Sequence, residues 1–223
     1  MRVYLLFVVL LFTVAGNAQP CLIAATGFST DVNTNKNNSK PFNHIPVSLQ
    51  WSAGGFKKIL LVKLDYFIPF TVSATDHAYT LNPGLPAEIA VQKSIRPFIF
   101  CVNMGVRLPV YKLNAKNIFY ADALLTAVCH QDIKVNYGAY DKTNYEILNP
   151  DMSLRKTSLS ICTGLVYRYL LTNKSSLLCM LHLQGPPFAT PKVKGYGLSY
   201  WFVAPLQLTI GYSFCYRKIK SPL

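Results

Sequence analysis

Residues 203–217, VAPLQLTIGYSFCYR, alternate almost without a break between apolar and polar side chains. Leu208 and Ile210 fall on one face of a strand, and Thr209 and Ser213 fall on the other. Because side chains alternate along a strand with period two, this stretch predicts an element with one face in an apolar medium and one against polar groups. A soluble sandwich would bury the apolar face, whereas a membrane barrel would turn it toward lipid.

The N-terminal residues predict export. Arg2 is followed by an apolar run at 5–14 and by small and polar residues up to Ala18, which is the organisation of a secretory signal peptide. We expect cleavage after Ala18, so that 1–18 is the signal peptide and 19–223 is the mature domain. An uncleaved anchor is the alternative, but the run is shorter than the roughly 20 residues that a transmembrane helix needs.

The composition describes a folded chain with an excess of apolar residues. Of the 223 residues, 51% are hydrophobic and 14% are charged, and the mean hydropathy is +0.25. Disorder as the general state is therefore excluded. No apolar run of about 18 residues follows the signal peptide, which excludes a helical membrane protein. A membrane protein without such helices must be a closed barrel, because lipid offers no partner to unpaired backbone groups.

Eight stretches alternate as strands do. They are 21–30, 44–53, 58–68, 96–108, 118–132, 157–170, 176–184 and 203–217. Their connections are long and short in strict turn, and 69–95 and 133–156 are predicted as long irregular loops. All the long connections then lie at one end, which is typical of a bacterial outer-membrane barrel with short periplasmic turns. We predict an all-β, eight-stranded antiparallel up-and-down transmembrane β-barrel, with a soluble barrel or sandwich as the alternative.

Aromatic side chains on the apolar face collect near the strand ends. Toward the short turns the predicted aromatic girdle is Trp51, Phe119, Tyr167, Tyr169, Tyr212, Phe214 and Tyr216. Toward the long connections the aromatic residues are Phe28, Tyr66 and Phe98. Amphipathic aromatic rings prefer the boundary between hydrocarbon and water, which favours a lipid-facing band. The ordinary enrichment of aromatic residues in strands is the alternative explanation.

The signal peptide, the eight strands and the closing sequence LQLTIGYSFCYRK at 206–218 resemble the small outer-membrane β-barrel proteins of the Bacteroidetes type, which are porin-like or OmpX-like eight-stranded barrels. The resemblance covers the mature chain and is one of pattern. It implies a place in the outer membrane of the cell envelope, contact with outer-membrane lipid and lipopolysaccharide, and insertion by the barrel-assembly machinery. Such barrels usually finish on an aromatic residue that this machinery reads, whereas this sequence continues past Tyr216.

The inward positions predict a polar network. It comprises Lys63, Asp65, Asn103, Arg107, Asp122 and Arg168, together with Gln50, Gln207 and Thr209. An eight-stranded barrel is just wide enough to be filled by side chains, so we expect no wide pore. Buried charges must be paired to be tolerated, and Arg107 with Asp122 on the adjacent strand is the pair we expect. Conduction of an ion or solute through a narrow channel, or a role in a secretion apparatus, is the alternative.

Catalysis is the third functional hypothesis, after a structural or binding role and conduction, and it has the weakest support. Some eight-stranded barrels modify lipid A, and acyl transfer needs a base within reach of a hydroxyl and oriented by an acid. His130 is predicted on the inner face near the outer rim, with Ser158 and Ser160 on the next strand and Asp132 close in sequence. Hydroxyls and imidazoles line any polar barrel interior, so the sequence predicts no enzyme.

Six cysteines are unusual for such a barrel. Cys21 and Cys215 lie on the first and last strands, both predicted inward and near the periplasmic end. A disulfide between them is possible in an oxidising compartment, with buried small thiols as the plainer alternative. Neither Cys nor His spacing suggests a metal site, and we expect no cofactor.

The formal net charge of +13 suits anionic lipid headgroups on either side of a membrane. No basic face with interleaved aromatic residues is present, so we expect no nucleic-acid partner. The sequence therefore predicts a monomeric barrel with a filled interior and four long surface loops, serving a structural role or adhesion and the binding of an extracellular ligand.

Overall fold

The computed structural model describes residues 20–30, 43–55, 58–148, 154–185 and 206–216. Within these ranges the chain forms β1 (Cys21–Thr30), β2 (Asn43–Gly55), β3 (Lys58–Pro69), β4 (Val72–Thr80), β5 (Glu88–Lys112), β6 (Asn117–Tyr137), β7 (Tyr145–Glu146), β8 (Leu154–Leu170), β9 (Ser175–Gln184) and β10 (Leu206–Cys215). The predicted signal peptide, 1–18, lies outside the described residues. No helix in the described part of the chain has the length and apolar character needed to cross a bilayer.

Eight of these strands close into an antiparallel ring in the order β1, β2, β3, β5, β6, β8, β9, β10. The first and last strands pair from Cys21 with Cys215 to Thr30 with Leu206. Each strand pairs with the next one of the ring along the chain, and β3 meets β5 directly. The predicted eight-stranded up-and-down barrel is thereby confirmed.

Residues 69–95 form a hairpin, so their prediction as an irregular loop was wrong. β4 pairs with the start of β5, from Val72 with Ile95 to Tyr79 with Glu88. The end of β6 pairs with β5 as far as Tyr137, and β7 adds two pairs at the other edge of β4. We call β4, β7, 88–95 of β5 and 133–137 of β6 the projecting sheet. After Val72, the inward positions of β4 are the small or charged residues Ala74, Asp76 and Ala78, so the alternation that large apolar side chains make visible is absent there.

The prediction for 133–156 was also wrong in part, because β6 continues to Tyr137 and β8 begins at Leu154. β5 has 25 residues and β6 has 21. At about 3.3 Å per residue, β5 is about 80 Å long. A strand needs only 9–11 residues to cross a bilayer, so the projecting sheet extends well beyond a membrane-sized wall.

The side chains that alternate inward form the core of the barrel at three levels. Nearest the short turns are Ile23, Ala25, Ile118, Tyr120, Val166, Leu178 and Met180. Leu61, Leu124 and Cys162 follow, and toward the projecting sheet come Phe67, Ile95, Ile99, Cys101 and Val128. The polar residues of the interior lie among these apolar clusters.

Candidate functional site

The ion pair of Arg107 and Asp122 lies inside the barrel, where β5 and β6 pair these two residues directly. Arg107 Nε donates to Asp122 Oδ1 at 2.7 Å, and Arg107 Nη2 donates to Asp122 Oδ2 at 2.8 Å. His182 Nε2 lies 3.0 Å from the same Oδ2. All three side chains are at most 3% exposed. The two-pronged geometry is the arrangement in which a guanidinium and a carboxylate bind most strongly.

A second buried network surrounds the Asp65 carboxylate. Lys63 Nζ lies 3.1 Å from Asp65 Oδ2 and donates to Gln207 Oε1 at 3.1 Å. Asn103 Nδ2 donates to Asp65 Oδ2 at 2.8 Å. The hydroxyl of Ser48 donates to Asp65 Oδ1. The carboxylate thus receives donors from three strands, β2, β3 and β5, which fixes their inward faces against one another.

The third interior cation, Arg168, stacks on an aromatic ring. Its guanidinium carbon lies 5.3 Å from the ring centroid of Tyr120, within the range of a cation–π contact. Two carboxylates and one ring therefore accommodate three cations. Of the residues predicted as the interior network, Gln50 and Thr209 are buried but take no part in these contacts, because the Gln50 amide and the Thr209 hydroxyl have no hydrogen-bond partner among the described residues.

Several network members were missed from the sequence. Ser48 and His182 are described above, and Thr126 Oγ1 donates to Asn103 Oδ1 at 2.6 Å. A serine, a threonine or a histidine between apolar neighbours gives no sign of its partner, because the partner depends on strand register. The alternation of His182 with Leu181 and Leu183 was the available signal, since it placed the imidazole inside.

A small cavity lies between the two buried networks. It has a volume of about 10 Å³ and is lined by Asp65, Phe67, Cys101, Asn103, Cys162, His182, Gln184 and Gln207. This volume is about that of one water molecule. At this level the interior is filled by side chains, as expected for eight strands. No group of three or more His, Cys, Asp or Glu among the described residues is arranged to hold a metal ion.

A disulfide joins Cys21 to Cys215, which are directly paired at the seam between β1 and β10. The sequence left this bond and a pair of buried thiols as alternatives. The four cysteines at 101, 129, 162 and 179 are free. The bond connects residues 194 apart in sequence, so it closes the ring of strands covalently.

The prediction that His130 lies on the inner face was wrong. A β-bulge between Val128 and Gln131 shifts the register, so that His130 pairs with Phe100. Phe100 faces outward, because its neighbours on the strand are buried inside. Since directly opposed residues share a face, His130 also faces outward.

Ser158 pairs with Val128, whose side chain is buried inside. Ser160 is also buried and accepts a hydrogen bond from Gln184 Nε2 at 2.5 Å. The barrel wall separates the histidine from both serines.

The outward positions of the eight-stranded ring carry a continuous apolar band. Its exposed members include Leu49, Leu64, Leu125, Ile161, Leu165, Leu181, Leu208 and Ile210. Ile210, for example, is 65% exposed. A soluble barrel of this size would not expose large apolar side chains at every outward position. The ten residue steps from Phe98 to Leu108 rise about 33 Å along β5, or about 25 Å at the usual strand tilt. None of the outward positions of this band whose side chains the structure describes is Asp, Glu, Lys or Arg.

The predicted aromatic girdle lies at the short-turn edge of this band. Five of its members are exposed, namely Phe119, Tyr169, Tyr212, Phe214 and Tyr216, while Trp51 and Tyr167 are half-buried. The rings of Phe119 and Tyr167 pack in a tilted arrangement with centroids 5.1 Å apart, and the Tyr167 hydroxyl donates to Asn117 Oδ1 at 2.5 Å. These rings therefore have apolar faces outward and polar groups toward the strand ends.

The projecting sheet has its own core and its own ion pair, neither of which was predicted. Ala78, Val91, Tyr145 and Ile147 are buried together. Beside them Lys93 Nζ lies 2.9 Å from Asp76 Oδ2, and the Tyr137 hydroxyl donates to the same oxygen at 3.2 Å. Partial burial raises the pKa of Asp76, but the hydrogen bonds from Lys93 and the His77 amide and the charge of Lys93 outweigh it, so the pKa lies below its ordinary value.

The sequence matches no protein-family model and no curated protein. Among solved structures it is similar to Neisserial surface protein A, NspA, with 9% sequence identity and a TM-score of 0.47. That likeness covers 88% of this chain and 94% of the neisserial chain. Similarity at this level assigns the chain to no family.

Proposed function

We propose that this protein is an integral β-barrel of the bacterial outer membrane, with a closed interior and a structural or ligand-binding role. The observation that carries the proposal is the uncharged apolar band around a closed ring of strands. Its height of about 25 Å matches the height of the apolar band in outer-membrane barrels. In water such a surface would drive association, whereas in lipid it faces its own medium.

The distribution of charge supports the same proposal. Lys63, Arg107 and Asp122 are buried inside the barrel, while the outer wall at the same height is apolar. A soluble barrel has the opposite arrangement, with an apolar interior and a polar exterior. In a membrane barrel the polar face must be the interior, because charges on the lipid face cost about 2–4 kcal/mol at the midplane.

Conduction is the function that the interior supports least. Two contacts of these networks reach across the lumen between strands that are not neighbours, Lys63 of β3 with Gln207 of β10 and His182 of β9 with Asp122 of β6. The cavity beside them has room for about one water. An ion would have to break these contacts in order to pass. We therefore assign the role to the barrel as a membrane component or to the part of the chain outside the membrane.

The projecting sheet is the described region best suited to binding or adhesion. It carries polar side chains outward, such as Thr75, His77 and Gln92, and its own buried core keeps them in place. It lies at the end of the long connections, which outer-membrane barrels direct to the cell exterior. The resemblance of the closing strand to small barrels of the Bacteroidetes type agrees with this assignment.

Electrophoretic mobility tests the membrane proposal. A folded outer-membrane barrel keeps its strands in dodecyl sulfate without heating, so unheated protein extracted from membranes should migrate differently from boiled protein. A sample whose mobility is unchanged by boiling, and which stays in the aqueous phase with lipid vesicles, would overturn the proposal. Planar-bilayer recordings then test the closed interior, and steady single-channel openings would favour the narrow-channel alternative.

A further inference from the structure

We propose that Arg96 and Lys134 form a binding site for the phosphate headgroup of an outer-leaflet lipid. This inference rests on the proposed function, because it needs the apolar band to lie in a membrane. The two residues are directly paired on β5 and β6, and both side chains are exposed. Directly opposed residues share a face, and Ile95 next to Arg96 is buried inside, so both cations point to the outer side.

The pair lies at the upper edge of the apolar band. One step below along β5 on the same face is Phe98, and Phe100 follows. Above the pair the outward side chains are polar, with Ser94 and Gln92. The cations therefore stand where hydrocarbon ends and headgroups begin, the level at which a lipid presents its phosphate.

Local contacts hold both side chains at this level. Arg96 Nε donates to Thr71 Oγ1 at 2.7 Å, which fixes the plane of the guanidinium. Lys134 Nζ lies 5.4 Å from the ring centroid of Phe98, so the ammonium sits over the top ring of the band. A guanidinium offers several donors in a plane that suits a phosphate, and an ammonium beside it adds a second charge.

The local charge favours an anion. Arg96 and Lys134 are both cationic and lie on the same face, so together they place a formal charge of +2 at this rim. An anionic lipid satisfies this charge and lays its acyl chains on Phe98 and Phe100. A free phosphate satisfies only the charge.

The test compares two double variants of the full chain in detergent. Arg96→Gln with Lys134→Gln removes the proposed site. Lys116→Gln with Lys174→Gln removes two exposed cations at the short turns and changes the net charge equally. Binding of dioctanoyl phosphatidic acid is measured by native mass spectrometry, with inorganic phosphate in large excess as competitor.

Each cation near a membrane surface contributes about fivefold in affinity, so we expect roughly 30-fold weaker binding for the Arg96/Lys134 variant. The short-turn variant should bind within twofold of wild type, and inorganic phosphate should not compete. Equal binding by all three proteins, or an equal loss in both variants, overturns the site. Full competition by inorganic phosphate overturns its assignment to lipid. Each protein is first shown to be folded by its mobility in unheated gels, so a failure of the barrel proposal is seen separately.

Discussion

Two ion pairs of this protein, one in the barrel and one in the projecting sheet, do the same chemistry in different surroundings. In the barrel, Arg107 and Asp122 are at most 3% exposed. In the projecting sheet, Lys93 and Asp76 are 15% and 26% exposed. Both pairs join strands, and both have a further partner on the acid, His182 in one case and Tyr137 in the other.

The difference lies in what happens when a partner is lost. A charge deep in the barrel that loses its partner has no water to replace it, so most of the free energy of its desolvation is left uncompensated. In the projecting sheet, water reaches a charge that loses its partner, and the loss is small. We infer that the barrel pair locks the wall, while the pair in the projecting sheet adjusts the stability of a region at the surface.

The largest expected effect is that of Asp122→Asn. This variant leaves Arg107 buried without a countercharge, and we expect a loss of about 3–5 kcal/mol in the free energy of unfolding. Urea unfolding of protein folded into lipid vesicles measures it. The matched control is Asp76→Asn, the same substitution in the projecting sheet, which should cost about 1 kcal/mol or less. Equal losses would contradict the comparison.

If Asp122→Asn does not fold, the pair is tested by removing both charges. Arg107→Met combined with Asp122→Leu replaces the ion pair by apolar side chains, and such replacements are often close to neutral in a buried site. Folding should then return in part. A double variant as defective as the single one would show that Asp122 acts through His182 and not through Arg107.

The second-largest effect is expected from removing the disulfide between Cys21 and Cys215, which closes the barrel covalently. Cys21→Ser with Cys215→Ser should lower the free energy of unfolding by about 2–4 kcal/mol. Reductant should lower the stability of wild type but not of the variant. Cys129→Ser with Cys179→Ser, which changes two free and exposed cysteines, is the control and should leave that response unchanged. Wild type that ignores reductant would mean that the seam is held by strand pairing alone.

The comparison also shows how far the sequence could lead. The barrel was predictable because large apolar side chains mark its outward face, as Leu208 and Ile210 do, and because a polar residue between them must then point inward. The pairing of Arg107 with Asp122 followed from adjacent strands. The projecting sheet was not predictable in this way, since Ala74, Asp76 and Ala78 occupy its inner positions and give no apolar period.

The position of His130 shows a second limit. Its predicted inward direction assumed unbroken alternation from Ile118, but the bulge after Val128 inserts a residue and turns His130 outward. No residue type signals this bulge in the sequence. Register decides which side chains meet, and a single inserted residue reverses every assignment beyond it.

The smallest effect concerns the pH dependence of the projecting sheet. The pKa of Asp76 in the folded protein lies below its ordinary value of 3.8. A lowered acid pKa contributes stability that is complete above the ordinary value and is lost as the pH falls through the lowered one. Amide hydrogen exchange in β4 should therefore speed up as the pH is lowered from 5 through this range, after correction for the intrinsic rate.

The control for this prediction separates Asp76 from the other acid of the hairpin. The Glu88 carboxylate lies 3.7 Å from His77 Nδ1 on the outer side of the sheet, where both side chains are about half exposed. Glu88→Gln should keep most of the pH response, whereas Asp76→Asn should remove it and leave exchange fast at every pH. If Asp76→Asn kept the response and Glu88→Gln abolished it, the pair of Lys93 and Asp76 would not stabilise the sheet. The pH response of the projecting sheet would then come from the exposed pair of His77 and Glu88 on its outer face.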